Sequence, residues 1–130
     1  MRRRAILCFV AHRIDIVIPV YNEKENFQTT IDLIRKRVKS DWHILMVYDF
    51  AEDSTVQIAK PLSQLEPRLR LVQNSSRGAL NAIKTGFKVA EADAVLLLMV
   101  DDPPSIIEQI DPLVEKFYSE NASIGVASRY

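Results

Sequence analysis

A chain of 130 residues, 48% of them apolar, is long enough to bury one core and too short for two ordinary domains. Its 17 basic and 17 acidic side chains cancel, which argues against a general nucleic-acid binder and against a polyanionic tail. The single cysteine, Cys8, excludes an intrachain disulfide and a thiolate metal cluster, and points to a reducing, cytoplasmic compartment.

At the amino terminus Met1-Arg2-Arg3-Arg4 precedes the apolar run Ala5-Ile6-Leu7-Cys8-Phe9-Val10-Ala11. The order is that of a signal peptide, but the run sits at the bottom of the signal range and far below a membrane span. His12 and Arg13 follow without a small-residue cleavage pattern. Residues 1–13 are therefore expected to be a leader or a short extra strand, and residues 14–130 one domain.

Ile14 to Val20 is a near-continuous apolar run, the mark of a strand covered on both faces. Asn22, with Glu25 three residues on, has the spacing of a capping box, and Phe27, Ile31, Ile34 and Val38 then recur at helical intervals. Ile44 to Tyr48 reads as a second strand. A helix is expected from Ser54 to Leu65, kinked or shortened at Pro61. Leu69 to Val72 is a short third strand, and Asn74-Ser75-Ser76-Arg77-Gly78 a loop by composition. A helix with Leu80, Ile83 and Phe87 on one face follows. Ala94 to Val100, the most apolar run, is expected to be the central strand. Beyond Pro103-Pro104 a helix carries Ile107, Ile110, Leu113 and Phe117, and Ile124 to Ala127 opens a fifth strand. Strands alternating with helices predict an α/β fold: an open, mostly parallel sheet with helices on both faces. A sheet edge without cover would favour a homo-oligomer.

In such sheets every loop after a strand lies at one edge, where ligands bind near the reversal of strand order. Collected there are Asn22 and Glu23, then Asp49, Glu52 and Asp53, then Asp101 and Asp102. Carboxylates brought together repel, and a hard divalent ion, Mg²⁺ or Mn²⁺, is the simplest partner for an all-oxygen set. Helix capping is the competing role, and the better one for Glu52 and Asp53. Two adjacent acids closing a buried strand are costly without a partner, so Asp101 and Asp102 read as functional. Asp49 stands between the two roles.

The remaining conspicuous residues carry blander readings. His12 and His43 have no partners at ligand spacing, and Trp42 and Tyr48 read as packing residues. Arg35-Lys36-Arg37 with Lys39 reads as a solvated helix face, with a membrane-surface contact as the alternative.

Ile16-Val17-Ile18-Pro19-Val20-Tyr21-Asn22-Glu23 resembles the opening strand and turn of family-two glycosyltransferases of GT-A fold. Val47-Tyr48-Asp49 with Glu52-Asp53-Ser54-Thr55 resembles their second-strand motif, and Arg77-Gly78, Ala82 and Gly86 are similar to the next loop and helix. Met99 to Pro104 resembles the metal-binding Asp-x-Asp segment. Val126-Ala127-Ser128-Arg129-Tyr130 looks like the following strand in the dolichyl-phosphate mannosyltransferase branch. The resemblance spans Ile14 to Tyr130. It implies the Rossmann-like, nucleotide-binding half of a GT-A fold, truncated at its carboxyl end, and a nucleotide-diphosphate sugar as donor. Pro19, Tyr21, Glu23 and Asp49 would line the nucleotide pocket, Arg77 and Gly78 would meet the diphosphate, and Asp101 and Asp102 would hold the cation. A polyprenyl phosphate at a membrane surface is the acceptor it implies.

This sequence departs from that pattern in having its two acids adjacent. In an extended chain their side chains point to opposite faces, so joint ligation of one ion requires a turn at Asp102. No residue offers itself as a catalytic base. A second reading is a nucleotide-sugar-binding module without turnover. A third, a receiver-type signalling domain, would need acids after the first strand, an aspartate after the third and a lysine after the fifth. Asn22-Glu23, Asn74 and Arg129 stand there instead.

Overall fold

The computed structural model describes residues 12–126. The expected leader or extra strand therefore lies almost wholly outside the described residues, as do Ala127 to Tyr130. Four strands, β1 (Arg13–Pro19), β2 (Asp41–Tyr48), β3 (Leu69–Gln73) and β4 (Ala94–Leu97), form one sheet in the order β3-β2-β1-β4. Every pairing is parallel, with Ile16 opposite Ile44 and Leu96, and Met46 opposite Leu71. The chain steps outward from β1 to β3 and then crosses to the far side of β1. The order thus reverses beside β1, between its two neighbours.

Alternation along the strands builds two apolar layers. Ile14, Ile16 and Ile18 face one side and pack with Phe27, Ile31 and Ile34 of α1 (Lys24–Arg37), and with Val56 and Ala59 of α2 (Ser54–Leu65). Val17, Leu45 and Val47 face the other side, beneath Ala82 of α3 (Ala79–Val89). Gly86 sets how closely α3 lies on the sheet: a methyl group there would stand 2.9 Å from Val17 Cγ2 and nearer still to Cγ1. Trp42 is 1% exposed, with the Arg68 guanidinium 3.6 Å above its ring, and half-buried Tyr48 packs against the core; both are packing residues as expected.

Several sequence expectations are corrected. Ala94 to Val100 is not a central strand. Pairing stops at Leu97, β4 is an edge strand among the described residues, as is β3, and Leu97 is 40% exposed. The central positions go to β1 and β2, whose residues are shielded from both sides. Pro61 does not shorten α2, which runs to Leu65. Pro103-Pro104 is followed first by a 3₁₀ segment, Pro104–Gln109, and only then by α4 (Ile110–Ser119). Residues 124–126 are not in a strand, and Ile124 and Val126 are exposed. The basic face of α1 is partly neutralised, since Arg35 pairs with Glu66 and Arg37 with Glu108. His12 stacks on Tyr118 and His43 sits 3.6 Å from Asp41.

Candidate functional site

The carboxyl ends of the parallel strands place their following loops on one edge, as the topology requires. The β1 loop carries Tyr21 to Glu23, the β2 loop Asp49 to Asp53, the β3 loop Asn74 to Gly78 and the β4 loop Leu98 to Pro103.

The first two loops are clamped together. Asp53, fully buried, takes the N-cap position of α2 and accepts from Thr55 N at 2.7 Å. Its two oxygens also accept from Asn22 N, and the Thr55 hydroxyl accepts from Glu23 N. Asn22 answers by accepting from Ser54 N at 3.0 Å. Asn22 adopts φ 48°, a left-handed conformation that asparagine tolerates better than most residues. It therefore caps α2 and not its own helix, whose N-cap Glu23 makes no side-chain cap bond. Of the two acids expected to cap, Asp53 does so, while Glu52 lies one residue before the cap and is exposed.

The clamp fixes the backbone from which Glu23 projects. Glu23 Oε2 is buried with no hydrogen-bond partner among the described residues. Burial raises the Glu23 carboxyl above its ordinary range, and the negative charges of Asp101 and then Asp53 raise it further. Acids of three loops therefore act on one point. The sequence led us to expect carboxylates of three loops in one cleft; here Glu23 feels the charges of Asp101 and Asp53, while Asp49 bonds elsewhere.

Asp49 serves a different junction. Its Oδ1 accepts from Asn74 Nδ2 at 3.0 Å and its Oδ2 from Gly78 N at 3.1 Å, tying the second loop to the third. Gly78, the N-cap of α3, has φ 107°, which a side chain would strain. Arg77 beside it is exposed. Pro19 is buried at the end of β1, and Tyr21 is 63% exposed with its ring edge-on to Phe50.

After β4 the backbone turns, with Asp102 N donating to Met99 O at 3.1 Å and Met99 N to Asp102 Oδ2 at 3.3 Å. Asp101 and Asp102 thus stand on a turn, and the alternation of an extended chain does not separate them. Asp101 is exposed and Asp102 half-buried. Among the described residues no three His, Cys, Asp or Glu side chains gather closely enough to hold a metal unaided. A divalent ion held by one or two carboxylates, with diphosphate oxygens and water completing its shell, needs no such set. The orphaned acceptor on Glu23 and the excess negative charge around it fit a cation at this place.

A cavity of 290 Å³ opens between α1 and the β4 loop. Asn26, Thr29, Thr30 and Leu33 form one wall, and Leu98 to Pro104 with Ile106 and Ile107 the other. Of the expected site residues only Asp101 and Asp102 line it. The wall on α1 was missed, although spacings of 3, 1 and 3 residues place its four members on one helix face.

The sequence matches the model of glycosyl transferase family 2 over residues 15–130. It is 26% identical to a dolichol-phosphate mannosyltransferase of Pyrococcus furiosus, over 91% of this chain and 33% of that protein. It is 33% identical to an undecaprenyl-phosphate 4-deoxy-4-formamido-L-arabinose transferase of Enterobacter sp., over 81% of this chain and 33% of the relative. The fold matches the Pyrobaculum calidifontis mannosyltransferase PcManGT, solved with GDP-Man and Mn²⁺, with a TM-score of 0.64 at 19% identity. That match covers 78% of this chain and 32% of the other. Staphylococcus aureus TarS 1-349 matches with a TM-score of 0.65 at 18% identity, over 82% and 33% of the two chains. The chain thus spans about a third of the length of these relatives. The architecture is that of a GT-A fold, and the chain belongs to glycosyl transferase family 2.

Proposed function

We propose that residues 14–130 form the donor-binding portion of a glycosyltransferase that takes a nucleotide-diphosphate sugar together with Mg²⁺ or Mn²⁺. The observation that carries this reading is the Glu23 carboxylate. It is partly desolvated, unpartnered at Oε2 among the described residues and set against Asp101 and Asp53 at the point where strand order reverses. Such a cluster calls for positive charge, and a cation bridging to a diphosphate would supply it. Asp101 and Asp102 would hold the ion, which would supply positive charge to offset that of a departing diphosphate. Pro19, Tyr21, Glu23 and Asp49 would line the nucleotide pocket. Arg77 and Gly78 would meet the diphosphate from the loop that Asp49 secures.

A polyprenyl phosphate is the proposed acceptor, on the strength of the two lipid-phosphate transferases among the relatives. Its phosphate is already ionised, so attack needs no general base. The protein would then work at the cytoplasmic surface of a membrane. No helix among the described residues is long and apolar enough to cross one.

The competing reading is a module that binds the donor without turnover. Incubation with uridine and guanosine diphosphate sugars, Mn²⁺ and a short polyprenyl phosphate separates the two. Release of nucleoside diphosphate supports the transferase. Donor binding without release supports the module, and neither binding nor release defeats both.

A further inference from the structure

Asn74 links the second loop, the third loop and α3. It is 6% exposed, its backbone N–H donates to Tyr48 O, and its Nδ2 donates to Asp49 Oδ1 at 3.0 Å. Its Oδ1 accepts from the Thr85 hydroxyl at 2.8 Å and from Ser76 N at 3.4 Å. Turning the amide over would set its oxygen against the Asp49 carboxylate and its NH₂ against the Ser76 N–H, two repulsive contacts in place of two bonds. Thr85, on α3, supplies the shorter of the bonds to Oδ1 from outside the loop. The second Asp49 oxygen accepts from Gly78 N, so Asp49, Asn74 and Gly78 enclose the turn that bears Arg77.

We propose that Thr85 and Asn74 are positioning residues of the donor site. Asp49 and Ser76 set the sense of the Asn74 amide, the Thr85 hydroxyl anchors its oxygen to α3, and the anchored amide holds Asp49 and the 74–78 loop in the geometry that presents Arg77 to a diphosphate. The inference rests on the donor-binding reading. It predicts that a helix residue reaching the site only through Asn74 controls how much affinity the diphosphate adds.

Thr85→Val keeps the side chain's shape and removes the donor, and Thr85→Ser keeps the donor. Two measurements on the whole chain test the proposal: hydrogen exchange of the Gly78 amide, and calorimetric affinities for uridine and guanosine against their diphosphates with Mn²⁺. Thr85→Val is expected to speed Gly78 exchange and to cut the diphosphate-over-nucleoside preference about fivefold to tenfold, the scale of one net hydrogen bond. Thr85→Ser is expected to restore both. Unchanged preference and exchange in Thr85→Val, or failure of Thr85→Ser to restore them, overturns the proposal while leaving donor binding intact. Absence of nucleotide binding in the unmodified chain removes the donor-binding reading itself, and the positioning role with it.

Discussion

Both carboxylate oxygens of Asp53 accept from the single backbone N–H of Asn22, at 3.1 and 3.0 Å. The contact joins the end of the first strand to the start of the second helix, 31 residues later, and holds Asn22 at φ 48°. Removing the Asp53 carboxylate strands the Asn22 N–H in the first loop and the Thr55 N–H in the first turn of α2. Asp53→Ala is therefore expected to cost about 1–3 kcal/mol in urea unfolding. Asn22→Val should add a comparable loss, because a β-branched residue resists that φ. Wild-type stability in either variant would show that the clamp carries no weight.

Asp49 offers a second test. Its two oxygens satisfy Asn74 Nδ2 and Gly78 N, so Asp49→Asn must turn an NH₂ group toward one of two donors. A loss of about 1–3 kcal/mol is expected, with nucleotide affinity falling as the third loop loosens. Full affinity in this variant would remove Asp49 from the proposed pocket.

Gly86 lies against buried Val17 with no room for a methyl group. Gly86→Ala should destabilise the fold by about 1–3 kcal/mol, the usual cost of overpacking. Val17→Ala, itself destabilising, should be partly relieved when the two are combined. Additive losses in a double-mutant cycle would mean that α3 and β1 do not meet as described.

Acid should unfold the protein through groups remote from the site. The Glu66 carboxyl is held below its ordinary range, chiefly by its side-chain bond with Arg68 and against the opposing effect of burial. For Asp111, burial pushes upward but is outweighed by bonds from the Ser40 hydroxyl and the backbone N–H groups of Lys39 and Ser40, leaving it lowered. A depressed carboxyl stabilises the fold above its unfolded pKa and loses that contribution as pH falls through the folded value. Stability should therefore decline below the usual carboxylate range, and less steeply in Glu66→Gln and Asp111→Asn. Glu23 has the opposite sign. Its raised carboxyl penalises the fold as pH rises through its folded value, so Glu23→Gln should stabilise the apo protein at neutral pH and lose that advantage in acid. Urea unfolding between pH 3 and pH 8 checks both signs.

The alternation of apolar strands with helical spacings was enough to place the sheet, its parallel sense and the edge where the acids gather. What stayed hidden depends on partners distant in sequence. Asn22 followed by Glu25 has a capping signature, yet its side chain caps a helix that starts at Ser54. Ala94 to Val100 is more apolar than β1, but apolar content does not reveal which strand has neighbours on both sides. Adjacent Asp101 and Asp102 imply opposed side chains only if the backbone is extended, and the Met99–Asp102 turn bends it. Asn74 looked like an ordinary loop residue because its bonds to Asp49 and Thr85 span 25 and 11 residues.

Among the described residues nothing pairs with the outer side of β4, and Leu97 is exposed; this edge should let the chain associate. Light scattering across a hundredfold concentration range should show a rising mean mass. A constant monomer mass would mean that the edge is covered.

The most direct test is calorimetric titration of uridine and guanosine diphosphate sugars, with and without Mn²⁺, into the unmodified chain and into Asp101→Asn. If Asp101 and its acidic neighbours hold a cation against a diphosphate, one donor should bind at least about tenfold more tightly with Mn²⁺, equivalent to roughly 1.4 kcal/mol. The substitution should erase that difference. Binding of equal strength with and without the ion, or an undiminished Mn²⁺ effect in Asp101→Asn, would contradict it.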